Sequence, residues 1–257
     1  MLEGGNMTIE AWDQFRNHAS SRSTTFATSS TPLVREIPLA APLDARKRKS
    51  PSDRREQIIS AATRVIGQKG FWGMALQDVA DEVGITEAGL YHYIRSKGDL
   101  LTMVLESAYD TREADEFIDA SSSRQLPNGQ HLYFFPRYCL NIVAYNVGRI
   151  EMVKLFATLN GEALAPQHPA HDYFVGRQRR LWNHVRTMQW SLPTEYDVPR
   201  FQALYTLAMS AMDGLQYQWL ADDAADMLTE WLAFSDELFP EQVWKGFRDP
   251  TEATQGT

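Results

Sequence analysis

Residues 76–97 read Leu-Gln-Asp-Val-Ala-Asp-Glu-Val-Gly-Ile-Thr-Glu-Ala-Gly-Leu-Tyr-His-Tyr-Ile-Arg-Ser-Lys. Val79, Ala80 and Val83 fall at helical intervals and make one apolar stripe. Gly84 follows where the chain must turn, because glycine takes positive φ without a steric penalty. Ile85 tucks under the corner, and Thr86 is placed to cap a second helix through its hydroxyl. Leu90 and Ile94 recur four apart on that helix's inner face, leaving Glu87, Ala88, Gly89, Tyr91, His92 and Tyr93 on or near its outer face. Two short helices joined this way form a helix-turn-helix, whose second helix enters a DNA major groove. Taken alone, the same residues also suit an ordinary helical hairpin.

The flanks separate the two readings. Upstream, Asp53–Gly70 carries Ile58, Ile59, Ala62, Val65 and Ile66 on one side, and Gly70 stands where a helix end favours a left-handed residue. Downstream, Ser96-Lys97-Gly98-Asp99 opens a helix with Leu100, Leu101, Val104, Leu105 and Ala108 on one face. Gly70-Phe71, Asp78-Val79-Ala80, Val83-Gly84-Ile85-Thr86, Leu90-Tyr91-His92-Tyr93, Ser96-Lys97 and Asp99-Leu100-Leu101 together resemble the N-terminal signature of the tetracycline-repressor (TetR) family. The resemblance runs without a gap over residues 54–105. It implies an all-α protein with an N-terminal three-helix helix-turn-helix domain, followed by a helical ligand-binding and dimerisation domain.

On the same resemblance, Tyr91, Tyr93 and Lys97 are expected at phosphates, and Gln77 and His92 at base edges. Thr86, Glu87, Ala88 and Gly89 complete the expected DNA-facing set. The chain departs from the family pattern at four positions. Ala75 stands where Thr or Ser is usual, which removes a capping and phosphate-touching hydroxyl. Gly89 also replaces a usual Thr or Ser and costs about 0.8–1.0 kcal/mol of helix propensity relative to Ala. Glu87 repels phosphates yet can accept from a cytosine amine. Ile94 replaces a usual Phe in the core.

Charge supports this polarity. The 257-residue chain has a net charge of −8, but residues 46–102 hold ten Lys/Arg against seven Asp/Glu, while residues 103–257 hold twelve against twenty-one. A basic end on an acidic body orients that end toward phosphate. Arg46-Lys47-Arg48-Lys49 precedes the first helix and reads either as a solvated patch or as an arm for phosphates and the minor groove. Residues 1–45 read as a disordered tail: nine of the twelve residues from Ser20 to Thr31 are Ser or Thr, and Pro32, Pro38 and Pro42 follow. The domains expected are therefore the tail, a DNA-binding domain over 46–105, a helical domain over 106–245 and a C-terminal tail over 246–257.

The second domain reads as helices over Tyr133–Asn146, Ile150–Leu159, Asp172–Gln189, Phe201–Leu220 and a last one capped by Asp222 or Asp223, with loops at 121–129 and 161–169. By resemblance, its middle helices hold a small effector. The aromatic and polar residues there make Phe135, Tyr138, Tyr145, Arg149, Phe156, Tyr173 and Trp182 the pocket candidates, and their character suggests a small hydrophobic or aromatic ligand. The resemblance also implies pairing of two copies through the final two helices. Phe201, Tyr205, Met212, Leu215, Trp219, Leu228 and Trp231 are the interface candidates, since such dimers read two half-sites about 34–36 Å apart.

Other function classes find less support. Single Cys139 excludes an intrachain disulfide and suits a reducing cytoplasm. No apolar run reaches the ~18–20 residues that span a bilayer, so no membrane partner is expected. His168, His171, Asp172 and Glu162 lie close in sequence, but Pro169 separates the histidines, and no zinc, phosphate-loop or nucleophile-elbow pattern occurs. No metal, cofactor or catalysis is expected. The partners expected are double-stranded operator DNA, a second copy and the small effector. The competing reading is a helical adaptor whose helix-turn-helix no longer reads DNA.

Overall fold

The computed structural model describes residues 50–108, 118–119 and 121–251. Helix α1 (Pro51–Gly73) starts with a reciprocal cap: the Ser50 hydroxyl accepts the Asp53 N–H at 3.1 Å, and the Asp53 carboxylate accepts the Ser50 N–H at 3.2 Å. Regular helix stops at Gly70, with φ +73° and ψ 168°, a region essentially reserved for glycine. Phe71–Gly73 add one further turn. Helix α2 (Leu76–Val83) ends at Gly84 with φ +75°. The Ile85 N–H then donates back to the Ala80 carbonyl at 2.9 Å, which closes the helix end.

Helix α3 (Glu87–Leu90) is capped as expected, Thr86 Oγ1 accepting the Gly89 N–H at 3.0 Å. It is shorter than the spacing suggests. After Leu90 the backbone tightens, and the Tyr93 N–H reaches the Leu90 carbonyl at 2.9 Å, a 3₁₀-like step. Gly89 and the aromatic run at 91–93 contribute little intrinsic helix propensity to extend it. Helix α4 (Lys97–Ala108) follows.

Further on come strands β1 (Ser123–Gln125) and β2 (His131–Phe134), helices α5 (Phe135–Val147), α6 (Ile150–Glu162) and α7 (His171–Val185), strand β3 (Gln189–Ser191), and helices α8 (Val198–Ala221), α9 (Met227–Leu238) and α10 (Glu241–Trp244). The all-α class stands, with one small sheet that periodicity did not reveal. β1 and β2 pair antiparallel around the Pro127-Asn128-Gly129 turn, and β3 joins β2 in parallel. Tyr133 and Phe134 therefore belong to a strand, not to the helix expected from residue 133. Pro136 in its first turn starts α5. Gln189, expected at a helix end, lies in β3.

The expected boundary near residue 105 is no break in packing. Ile58, Ile66, Val79, Leu90, Leu100 and Val104 share a buried cluster with Leu155 and Leu159 of α6. α6 lies along α1, and the Thr158 hydroxyl donates to the Gly67 carbonyl at 3.1 Å. Nor does a free tail begin at 246. Asp249 is 4% exposed and ion-paired with Arg137 of α5, and Arg248 donates to the Phe239 carbonyl. Residues 252–257, like the expected N-terminal tail and the basic run Arg46–Lys49, lie outside the described residues.

Candidate nucleic-acid interface and cavity

The helix-turn-helix presents Gln77, Thr86, Ala88, Tyr91 and His92 as an exposed group on α2, α3 and the turn after it, while Glu87, Gly89 and Tyr93 are half-buried. Tyr91 is half exposed, and its hydroxyl lies 3.4 Å from the Glu87 carboxylate. The Gln77 amide donates to Asp81 at 2.6 Å, so it must exchange that partner to meet a base. Ala75 supplies no side-chain cap. The Asp78 carboxylate instead accepts the Ala75 N–H at 2.8 Å and pairs with Lys69 at 2.8 Å. The Lys69 hydrogen bond, then the Ala75 N–H, holds Asp78 below the usual carboxylate range.

Lys97 has a second task besides the phosphate contact expected of it. Its ammonium donates to the Met74 carbonyl at 2.6 Å and the Trp72 carbonyl at 3.3 Å, and sits 4.8 Å from the Phe71 ring centre. An ammonium has three donors, so one stays available for a phosphate. Removing Lys97 would therefore disturb the end of α1 as well as any DNA contact.

A cavity of about 120 Å³ opens between α5, α7 and α8. Tyr138, Tyr145 and Arg149 line it, as three of the seven pocket candidates. Arg149 reaches the Tyr145 hydroxyl at 2.6 Å. The other four do not line it. Phe135 is fully buried, packed edge-on to Trp190, Phe201 and Phe239. Phe156 is 6% exposed between Phe174 and the Arg177 guanidinium, and Tyr173 packs on Phe174 and Arg180. Trp182 stacks on Phe201 and Tyr205. Phe135 and Phe156 are core, whereas Tyr173 and Trp182 are half-buried, and Trp182 lines two shallower clefts beside α8.

The opposite wall was missed. Tyr205, Met209, Met212, Asp213 and Gln216 of α8 line the cavity. The signal was present: Asp213 and Gln216 interrupt the apolar face of a helix assigned wholly to dimerisation. Burial pushes the Asp213 carboxyl above its ordinary range, against the lowering effect of Arg177.

The interface candidates need the matching correction. Phe201, Tyr205, Met212 and Trp231 are at most 4% exposed within one chain. They have almost no area left to bury against a second copy. Leu215, Trp219 and Leu228 are half-buried. The apolar stripe on α8 was the face turned inward, and periodicity alone does not say which neighbour covers it. The outward face carries Ala203, Leu207, Ser210, Gly214 and Gln218, with Leu207 54% exposed.

His168 and His171, weighed as metal ligands, have structural partners. His168 Nδ1 accepts the Ala170 N–H at 3.1 Å, and His171 Nδ1 lies 2.8 Å from the Ala163 carbonyl. Cys139 is fully buried, which pushes its thiol well above the ordinary range. Among the described residues, no helix is long and apolar enough to cross a membrane.

Comparison with known proteins bears on this surface. Residues 58–104 match the family model described as bacterial regulatory proteins, tetR family. The chain is 28% identical over 191 residues to the probable HTH-type transcriptional regulator ArpR of Pseudomonas putida, covering 71% of this chain and 88% of that protein. It is 33% identical over 63 residues to the HTH-type transcriptional regulator HbdR of Aromatoleum sp. (strain CIB), a match spanning 24% of this chain and only 28% of that protein. Its fold is similar to that of a tetR-family transcriptional regulator from Streptomyces coelicolor, with TM-score 0.52, 15% identity and coverage of 80% and 87% of the two chains.

Proposed function

The chain belongs to the TetR family of DNA-binding transcriptional regulators, and from that premise we propose that it is a cytoplasmic repressor released from its operator by a small ligand held between α5, α7 and α8. Tyr91, His92, Ala88 and Thr86 face the major groove, with Gln77 and Glu87 beside them, and the basic run Arg46–Lys49 follows the neighbouring phosphates. The acidic body keeps the basic end directed at DNA. Two copies pair through the outward face of α8, where Ala203, Ser210 and Gly214 permit close approach and Leu207 supplies apolar area. Leu215, Trp219 and Leu228 flank that contact.

One observation carries the ligand half of this reading: α6 touches both sites. Its start, at Arg149 and Met152, lines the cavity, and its later residues Leu155 and Leu159 share the core of the helix-turn-helix. A ligand that binds one position of α6 better than another shifts the same equilibrium that sets operator affinity. The cavity's apolar lining with a few polar groups suits a flat hydrophobic molecule bearing a hydrogen-bonding end.

The test fills the cavity. Ile142→Trp places an indole in it, and the variant should bind DNA like the wild type while no compound in a hydrophobic library releases it. Release of the variant by the compounds that release the wild type would place the effector elsewhere.

A further inference from the structure

We propose that the Glu162 carboxylate is a latch that sets the angle of the helix-turn-helix on the helical body, and that His168 aims it. The inference rests on the regulator reading above. Glu162 is the last residue of α6. One carboxylate oxygen accepts the Phe71 N–H at 2.7 Å, and the other accepts the Trp72 N–H at 3.3 Å. These bonds cross ninety residues of sequence, and they are of the stronger, charge-assisted kind.

The segment they hold is the only covalent route from α1 into the helix-turn-helix. Gly70 breaks the α1 ladder just before it, and a Cβ at that position would collide with the Glu162 carboxylate. On its carbonyl side, the same segment is gripped by Lys97, the first residue of α4. Residues 71–74 are therefore pinned by α6 through their N–H groups and by the DNA-binding domain through their carbonyls.

His168 completes the latch. Its side chain has no solvent exposure. Because Nδ1 accepts the Ala170 N–H, the neutral ring carries its proton on Nε2, which lies 3.4 Å from Glu162 Oε2, near the carboxylate but without the alignment of a hydrogen bond. The ring also packs edge-on against Phe71 at 5.2 Å and Trp72 at 5.4 Å. It thus touches both residues whose N–H groups Glu162 holds. Burial keeps its pKa below the ordinary histidine value, against the opposing pull of Glu162, so the ring stays neutral in this role. The far end of α6 lines the cavity, about 20 Å away along a 13-residue helix. The latch is where a shift of α6 would reach the reading head.

The experiment uses the full chain and two DNA probes: the duplex that the wild type enriches from a random-sequence pool, and the same duplex cut to a single half-site. Glu162→Ala should bind the two-half-site duplex at least about tenfold more weakly, yet bind the single half-site within about twofold of wild type. It should also lose the preference for the selected spacing over spacers one or two base pairs longer. His168→Gln should move the same readouts in the same direction by about threefold, and Glu162→Gln, which keeps one acceptor, should fall between Glu162→Ala and wild type. Unchanged binding to the full duplex overturns the latch. So does an equal loss on both probes, which a merely structural role would give. If Glu162→Ala does not fold, hydrogen exchange on the wild type decides: slow exchange at the Phe71 and Trp72 amides supports the latch, and loop-like exchange there overturns it. Failure of the wild type to enrich any duplex removes the regulator reading itself, a result distinct from loss of spacing preference in the variants.

Discussion

Replacing Gly70 with alanine adds one methyl group, yet the structure makes it costly for two separable reasons. At φ +73° and ψ 168°, a residue with a Cβ carries about 1–3 kcal/mol of backbone strain. The new Cβ also takes space now held by the Glu162 carboxylate. That carboxylate must withdraw and give up the Phe71 and Trp72 N–H groups, where hydrogen bonds to a charged group contribute about 1.5–3 kcal/mol. Together these predict a loss of roughly 2.5–6 kcal/mol. At about 2–4 °C per kcal/mol for a chain of this size, the melting midpoint should fall by roughly 5–24 °C. The two causes can be told apart with Gly70→Ala/Glu162→Ala, since removing the carboxylate removes the collision. The double variant should then be more stable than the sum of the single losses implies, by about 1.5 kcal/mol or more. Calorimetry or urea unfolding measures all three. A Gly70→Ala midpoint within about 2 °C of wild type would mean that neither the strain nor the clamp exists.

Thr86→Ala removes the hydroxyl that accepts the Gly89 N–H and should cost about 1 kcal/mol, read as a lower urea midpoint with unchanged m. Phe156→Trp should cost about 1–3 kcal/mol, because the ring sits in packed core beside Phe174 and not in the cavity; a neutral effect would mean open space there. Asp78 has a folded pKa below its unfolded value, so its contribution to stability is present above about pH 4 and lost as pH falls through the folded pKa. Asp78→Asn should therefore flatten the acid limb of a stability-against-pH curve, and an unchanged limb would dismiss the Lys69 and Ala75 contacts.

The parts of the fold legible in the sequence are those governed by local chemistry. Gly70, Gly84 and Thr86 announce helix ends because caps and turns depend on nearby residues, and the structure places these ends at those residues. The shortness of α3 was less legible, since Gly89 and the 91–93 aromatics weaken the helix without ending its apolar spacing. β3 has three residues and pairs in parallel with a strand more than fifty residues earlier, so no local pattern encodes it. The cavity was half read. Tyr138, Tyr145 and Arg149 line it, but an aromatic residue has the same sequence signature in core as in a cavity wall, so nothing local separates them from the buried Phe135 and Phe156 or the half-buried Tyr173 and Trp182. Phe201, Tyr205, Met212 and Trp231 went to the wrong surface for a related reason, because a stripe gives a buried face without naming what buries it. The Glu162 latch was invisible because its acceptor and donors lie ninety residues apart.

In the proposed function, residues 76–97 of two copies read DNA as a pair of helix-turn-helix units. Selection from a random-sequence duplex pool by the full-length protein, followed by a salt titration of the enriched duplex, tests it most directly. An enriched two-fold repeat is expected, with half-sites centred about one helical turn, or a multiple of it, apart. Log affinity should fall linearly with log salt, and Tyr91→Ala should weaken binding to all sequences about equally with a shallower slope. A pool that emerges with no enriched sequence, or a duplex bound with no dependence on salt, would contradict it.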